Sequence, residues 1–213
     1  MRSFEALLFD NDGVLVDTEG FYFRANREAL APFGVVLDRE AYVDLFLRDS
    51  RGAWDLLRER GVDEAAIVKA RAERDARYVE LLGTGDLLMP GVADGLAALA
   101  GRYRMAIVTS SQPAPFAAAH ARAGILHHFE LALTREQYAH SKPDPEPYFT
   151  AARRLGVPPA RCLVIEDSER GLRAARSAGM ACWIVPSELT RALSFDSADA
   201  VLPDFGAVVT RLG

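Results

Sequence analysis

Short, nearly continuous apolar runs recur along the chain: Ala6-Leu7-Leu8-Phe9, Met105-Ala106-Ile107-Val108, Leu131-Ala132-Leu133, Leu163-Val164-Ile165, Cys182-Trp183-Ile184-Val185 and Ala200-Val201-Leu202. Runs of this length without polar alternation suit strands covered on both faces, as in a parallel sheet. Between them lie Ala-, Arg- and Leu-rich stretches with helical spacing, over 92–100, 115–123, 148–155 and 171–178. Gly101, Gly124, Gly156 and Gly179 each follow one of these stretches, where a left-handed helix end is expected. Strand–helix alternation of this kind predicts an α/β fold.

One region breaks the rhythm. From about residue 19 to residue 88 no convincing strand occurs. Leu30, Leu45, Leu56, Leu57, Ile67, Leu81 and Leu82 lie instead in charged, Ala-rich sequence of helical period. Gly83-Thr84-Gly85-Asp86 and Pro90-Gly91 read as a return linker. The expected organisation is an α/β core made of residues 1–17 and 88–213, with a helical unit over residues 18–87 inserted after the first strand.

Composition narrows the function. The chain has 213 residues and a net charge of −5, and half of its residues are apolar. That is enough to bury a core. No block of Lys and Arg marks a nucleic-acid face or an anionic membrane surface, so an anionic ligand must be held by a local site. No segment approaches the roughly 20 apolar residues needed to span a bilayer, and the first residues lack the pattern of a signal peptide. Cys162 and Cys182 sit in or beside apolar runs and read as buried thiols. The expected setting is cytoplasmic.

The strongest local signal is Asp10-Asn11-Asp12-Gly13, directly after the first apolar run. If the backbone stays extended, positions i and i+2 present both carboxylates on one side, at the strand end where open α/β sheets bind ligands. One carboxylate of such a pair can attack phosphorus while the other moves a proton to the leaving oxygen. Like charges this close need a cation or a retained proton, and Mg²⁺ suits an oxygen site shared with phosphate. The same four residues are also good turn chemistry and resemble the start of a calcium loop. Thr109-Ser110-Ser111 ends the second run in hydroxyls that suit phosphate oxygens or a helix cap. Ser141-Lys142-Pro143-Asp144-Pro145 fixes a lysine on a proline-stiffened loop. Glu166-Asp167-Ser168 ends a further buried run in acid, which avoids a burial cost only if paired or metal-bound.

Taken in this order, the four segments resemble the haloacid dehalogenase superfamily, in its phosphatase and β-phosphoglucomutase-like branch with a small helical cap. The resemblance spans nearly the whole chain and includes Asp17-Thr18-Glu19 and the later Ala174-Ala175-Arg176-Ser177-Ala178-Gly179-Met180. It implies a Rossmann-like parallel sheet flanked by helices, with residues 18–87 as the cap. It implies that Asp10 is nucleophile and metal ligand, and that Asp12 is general acid/base and lends a backbone carbonyl to the metal. Thr109 would hold the transferring phosphoryl group and Lys142 would neutralise phosphate and nucleophile. Asp167 would complete a Mg²⁺ site, with Glu166 as a direct or water-mediated helper. Backbone N–H groups at Asn11, Asp12 and Ser110 would bind phosphate oxygens. Dehalogenases of the superfamily lack an acid where Asp12 stands, which favours phosphoryl chemistry. Mutases of the branch carry a His where Tyr22 aligns, which favours a simple phosphatase over a mutase, and the completeness of all four segments weighs against a non-catalytic binding protein on the same scaffold.

Specificity is expected in the cap. Arg48, Asp49, Ser50 and Arg51 form a polar cluster there, and Arg74 and Arg77 lie about one turn apart on a cap helix. Either arginine group could bind a second anionic group of a small phosphate ester. The expected partner is that small molecule, without nucleic acid or membrane, bound by a monomer or weak homodimer.

Overall fold

In the computed structural model, which describes residues 3–48 and 53–213, the six apolar runs form one parallel sheet. Its strands are β1 (Ala6–Phe9), β2 (Arg104–Val108), β3 (Leu131–Leu133), β4 (Cys162–Glu166), β5 (Ala181–Ile184) and β6 (Ala200–Val201). The order is β3-β2-β1-β4-β5-β6. The direction in which strands are added reverses at β1, so its carboxyl end lies beside the crevice where such sheets take ligands.

Period-two side-chain alternation divides the core into two layers. Leu8, Val108, Val164 and Ile184 face a layer with Tyr148, Leu155 and Leu172. These come from α7 (Glu146–Leu155) and α8 (Glu169–Ser177). Leu7, Phe9, Ile107 and Ile165 face Leu96, Phe205 and Val208 on the other side, from α5 (Val92–Leu99) and α9 (Phe205–Leu212). A further helix, α6 (Pro113–His120), follows β2. Gly101, Gly124, Gly156 and Gly179 all have positive φ, as their positions after helical stretches suggested. Helix α9 was not anticipated. It is a short terminal segment whose signals are the Asp204 side chain accepting from Ala207 N at 2.8 Å and the buried Phe205 and Val208.

The helical insertion consists of α1 (Glu19–Leu30), α2 (Arg39–Tyr42), a wide π-type turn over Val43–Arg48, α3 (Ala53–Glu59) and α4 (Glu64–Leu82). Helix α1 packs along α4, and α4 also meets α6 of the core. The two chains joining insertion and sheet run side by side. Asp17 N donates to Leu87 O at 2.7 Å and Met89 N donates to Leu15 O at 2.9 Å. Both crossings therefore leave the sheet at the same place, next to the carboxyl end of β1. Among the described residues no helix is long and apolar enough to cross a membrane.

Candidate active site

Asp10 is the first residue beyond β1. Its N–H donates to Ile165 O at 2.9 Å, which carries the sheet register one residue past the strand. The next turn is held by Asn11 O, which accepts from the backbone N–H groups of Leu15 at 2.9 Å and Val16 at 3.1 Å. Gly13 adopts φ +82°, and a Cβ there would collide with the Asp167 carboxylate. Only glycine combines that backbone with that approach, so the turn can close against the end of β4.

Asp12 is fixed by three hydroxyls. Thr18 Oγ1 donates to its Oδ1 at 2.5 Å, while Ser111 Oγ at 2.8 Å and Thr109 Oγ1 at 3.1 Å donate to Oδ2. Thr109 also accepts from Ser111 N at 2.9 Å. The Thr18 bond ties the proposed proton carrier to the start of the insertion. Ser110 Oγ lies 3.1 Å from Ser141 Oγ, joining two of the anticipated loops.

Lys142 is buried and spends its three donors on Asp10 Oδ1 at 2.6 Å, Glu166 Oε1 at 2.8 Å and Val108 O at 2.9 Å. Burial opposes its charge, but the Asp10 and Glu166 carboxylates outweigh that and hold its pKa above the ordinary value. Glu166 is wholly buried. Besides Lys142 it accepts from Tyr148 OH at 2.8 Å, from Asp167 N and Ser168 N at 3.0 Å each, and from Ser168 Oγ at 2.9 Å. Burial pushes the Glu166 carboxyl up, but Lys142, Tyr148 and Ser168 together bring it below its usual range. A Cβ on Gly171 would overlap this carboxylate, so α8 can begin where it does only with glycine there.

One carboxylate oxygen each from Asp10, Glu166 and Asp167 lie within 4.8 Å of one another. Burial, then the Glu166 charge, pushes the Asp10 carboxyl up to about 7 in spite of Lys142. The same two causes, followed by Asp10, raise Asp167 well above its usual value. Crowded hard oxygen donors whose charges are mutually unfavourable fit a divalent Mg²⁺ ion. Asp10 Oδ2 accepts no hydrogen bond among the described residues, and Asp167 is met only by the Thr190 hydroxyl at a long 3.5 Å and by the Ser187 hydroxyl, which works against the rise of its carboxyl. Both retain ligating capacity. Glu166 belongs to the cluster by distance, yet both its oxygens are engaged by protein donors, which fits a role in holding Lys142.

These groups open into a cavity of about 490 Å³ between sheet and insertion, lined by Asp10, Asp12, Ser110, Ser141 and Asp167 from the core and by Glu19, Tyr22, Tyr42, Arg71 and Arg74 from the insertion. Glu19, of the Asp-Thr-Glu segment, had no role implied by the sequence. It accepts from Tyr42 OH at 2.7 Å, and burial pushes its carboxyl up to about 7. Arg74 reaches the cavity but is bound by Tyr22 OH at 2.7 Å, Asn26 Oδ1 at 2.8 Å and Asp75 at 2.7 Å. Arg77 is absent from the cavity wall and pairs at the surface with Glu28 and Glu80, both at 2.8 Å. The Arg48 side chain and Asp49, Ser50 and Arg51 lie outside the described residues. The Asn11 side chain is turned away from the cavity, with Oδ1 2.6 Å from His120 Nε2 on α6, so only the Asn11 backbone is in a position to meet a ligand. His120 carried no functional signal in the sequence. A lone histidine in an Ala-rich helix reads as surface until the fold places it under the turn.

An aspartate pair backed by a buried lysine, at the switch point of a Rossmann-like sheet and beneath a helical insertion, defines a hydrolase of phosphate esters. Known proteins agree with that class. The haloacid dehalogenase-like hydrolase family matches residues 4–179. Protein CbbY of Rhodobacter capsulatus is 36% identical over 221 residues, covering 97% of this chain and 96% of that one. Fructose-1-phosphate phosphatase YqaB of Escherichia coli (strain K12) is 32% identical, over 83% of this chain and 94% of that one. A crystal structure of a CbbY mutant from Rhodobacter sphaeroides in complex with xylulose-(1,5)bisphosphate superposes with a TM-score of 0.80 at 32% identity, covering 95% of each chain. The chain belongs to the haloacid dehalogenase-like hydrolases and is a phosphoric monoester hydrolase of that family.

Proposed function

We propose that this enzyme is a Mg²⁺-dependent phosphatase of small phosphorylated carbohydrates that works through an aspartyl-phosphate on Asp10. The observation that carries the reading is the convergence of Asp10, Lys142 and Asp167 on one small volume, with Asp12 beside it on three hydroxyls. The names of the relatives, fructose-1-phosphate phosphatase and a xylulose bisphosphate complex, support the substrate class.

Lys142 anchors Asp10 Oδ1, and Oδ2 attacks phosphorus. The bond from phosphorus to the leaving oxygen breaks, and protonated Asp12 gives that oxygen its proton. Asp12, now ionised, takes a proton from water as the water oxygen attacks the acyl-phosphate. The bond from Asp10 to phosphorus then breaks, and phosphate and free Asp10 are regenerated. Thr109 and the N–H groups at Asn11, Asp12 and Ser110 hold the phosphoryl oxygens as charge spreads over them. Asp10, Asp167 and the carbonyl of Asp12 would hold Mg²⁺, which would supply neutralising charge to nucleophile and phosphate. Residues 18–87 form a cap that closes over the cavity by bending at the paired connections near Asp17 and Leu87, which excludes water from the acyl-phosphate.

The Tyr22 hydroxyl already accepts from Arg74 and is no substitute for a proton-transferring histidine, which favours hydrolysis over mutase chemistry. Both cysteines are free and buried, as suits the cytoplasm. The test is phosphate release from a panel of sugar phosphates, with and without Mg²⁺. Turnover should require Mg²⁺ and fall by orders of magnitude in Asp10→Asn with the fold intact. Turnover that is unchanged in Asp10→Asn rejects the mechanism, and no turnover of any ester rejects the function.

A further inference from the structure

Asn11 lies between the nucleophile and the proton carrier, yet its side chain points away from both, with Oδ1 2.6 Å from His120 Nε2. Both residues are buried, Asn11 completely. Burial pushes the His120 imidazole down to about 4, so the ring is neutral at neutral pH and carries a single N–H. Facing an amide oxygen, that N–H sits on Nε2 and donates. Phe116, one turn earlier on α6, packs on the ring with centroids 4.5 Å apart. Asn11 Nδ2 and His120 Nδ1 are buried without a hydrogen-bond partner among the described residues. The bond at 2.6 Å is therefore what joins these two side chains to anything polar there.

Two buried polar side chains, each with an orphaned atom, are a costly way to fill this space. Replacing both partners of such a pair by apolar groups of the same shape is often nearly neutral or stabilising, so stability does not account for it. What the pair supplies is position. Asn11 is gripped at both ends: its carbonyl accepts from Leu15 N at 2.9 Å and Val16 N at 3.1 Å, and its side chain is held by His120. Asp10 and Asp12 are its chain neighbours. A displacement of Asn11 therefore moves both carboxylates and the N–H groups assigned to the phosphoryl oxygens. Ala119, beside His120, packs with Val16 and with Tyr78, Leu81 and Leu82 of α4. The helix that holds the turn is thus also the one on which the insertion rests.

We propose that His120 is a positioning residue for the hydrolysis: from α6 it holds the Asn11 side chain, and through it the turn that carries Asp10 and Asp12. This rests on the phosphatase reading but can fail separately from it. Neither side chain lines the cavity, so losing the bond should act on the chemical step more than on binding of the ester. A displacement of about 1 Å among reacting groups can cost about a hundredfold in rate.

The test uses the full chain in saturating Mg²⁺ with p-nitrophenyl phosphate, at a temperature where circular dichroism shows each variant folded. His120→Leu should lower kcat by about ten- to a hundredfold with KM within about threefold of wild type. Calorimetric binding of orthovanadate, which mimics five-coordinate phosphorus, should weaken by about tenfold or more, while inorganic phosphate changes by less than about threefold. His120→Gln, whose amide N–H₂ reaches the place of Nε2, should recover kcat to within about threefold of wild type. Asn11→Leu should lose about as much as His120→Leu, and the double variant no more than the worse single one, because the two side chains act as a unit. Should His120→Leu not fold, Asn11→Leu carries the same prediction from the other partner. A folded His120→Leu with kcat within about twofold of wild type would overturn the proposal. So would a Gln variant no better than the Leu one, or losses that multiply in the double variant. Failure of the phosphatase reading shows differently, as absence of turnover of any ester by the wild-type enzyme.

Discussion

Tyr148→Phe isolates one link in the chain that runs from the core to the nucleophile. The Tyr148 ring is wholly buried on α7 and its hydroxyl donates to Glu166 Oε1 at 2.8 Å. Phenylalanine keeps the ring and its packing and removes only that donor. No charge is added or lost. A hydrogen bond to an ionised acceptor is worth about 1.5–3 kcal/mol net. For a chain of this size each kcal/mol moves the melting temperature by about 2–4 °C, so the expected fall is about 3–12 °C. The effect should also depend on pH. The Glu166 carboxyl lies below its ordinary 4.5 in the folded protein, so the stability it contributes is present above that value and lost as pH falls through the folded pKa. Tyr148→Phe raises that folded pKa, so the difference between variant and wild type should be full at neutral pH and shrink in acid below 4.5. Lys142 keeps all three of its own acceptors, so kcat/KM should fall by less than about tenfold. Thermal denaturation across pH in EDTA, beside steady-state kinetics, measures both. A midpoint unmoved at neutral pH would refute the view that Glu166 is held as a fully solvated-by-protein anion.

Two further substitutions probe the site. Glu19 is raised to about 7 from an ordinary 4.5, chiefly by burial. Its contribution is fully present below 4.5 and lost as pH rises through about 7, so metal-free stability should decline over that window, and Glu19→Gln should flatten the decline; an unaltered slope would show that Glu19 does not titrate there. Gly13→Ala forces a Cβ into the Asp167 carboxylate at a positive φ, so both kcat and the apparent affinity for Mg²⁺ should drop, together by at least about a hundredfold in the Mg²⁺-limited rate. A variant within about threefold of wild type would mean that the turn is not tightly seated against β4.

Much of the fold was legible because apolar runs such as Leu163-Val164-Ile165 are buried on both faces and leave no choice of period. The helical unit was legible from the absence of such runs between about Glu19 and Leu88. Three of the chemical segments, at Asp10, Thr109 and Glu166, end or directly follow a strand, which puts them at the carboxyl ends of neighbouring strands, whereas Lys142 stands beyond a helical turn after β3 and only the family resemblance assigned it to the same site. What stayed hidden depends on contacts between distant residues. The burial of Glu166 under five donors cannot be read from Glu-Asp-Ser alone, and neither can the turning of Asn11 toward His120. Arg74 and Arg77 share a helix and a residue type, yet one faces the cavity and the other a surface carboxylate pair. Their spacing alone does not say which face meets the sheet.

The most direct measurement is acid-quenched turnover with a radiolabelled sugar phosphate in Mg²⁺, followed by peptide mapping. The label should appear transiently on the peptide carrying Asp10, be released by hydroxylamine as an acyl-phosphate is, and be absent in Asp10→Asn. Label on any other residue, or label that persists in the Asn variant, would contradict the assignment of Asp10 as the nucleophile.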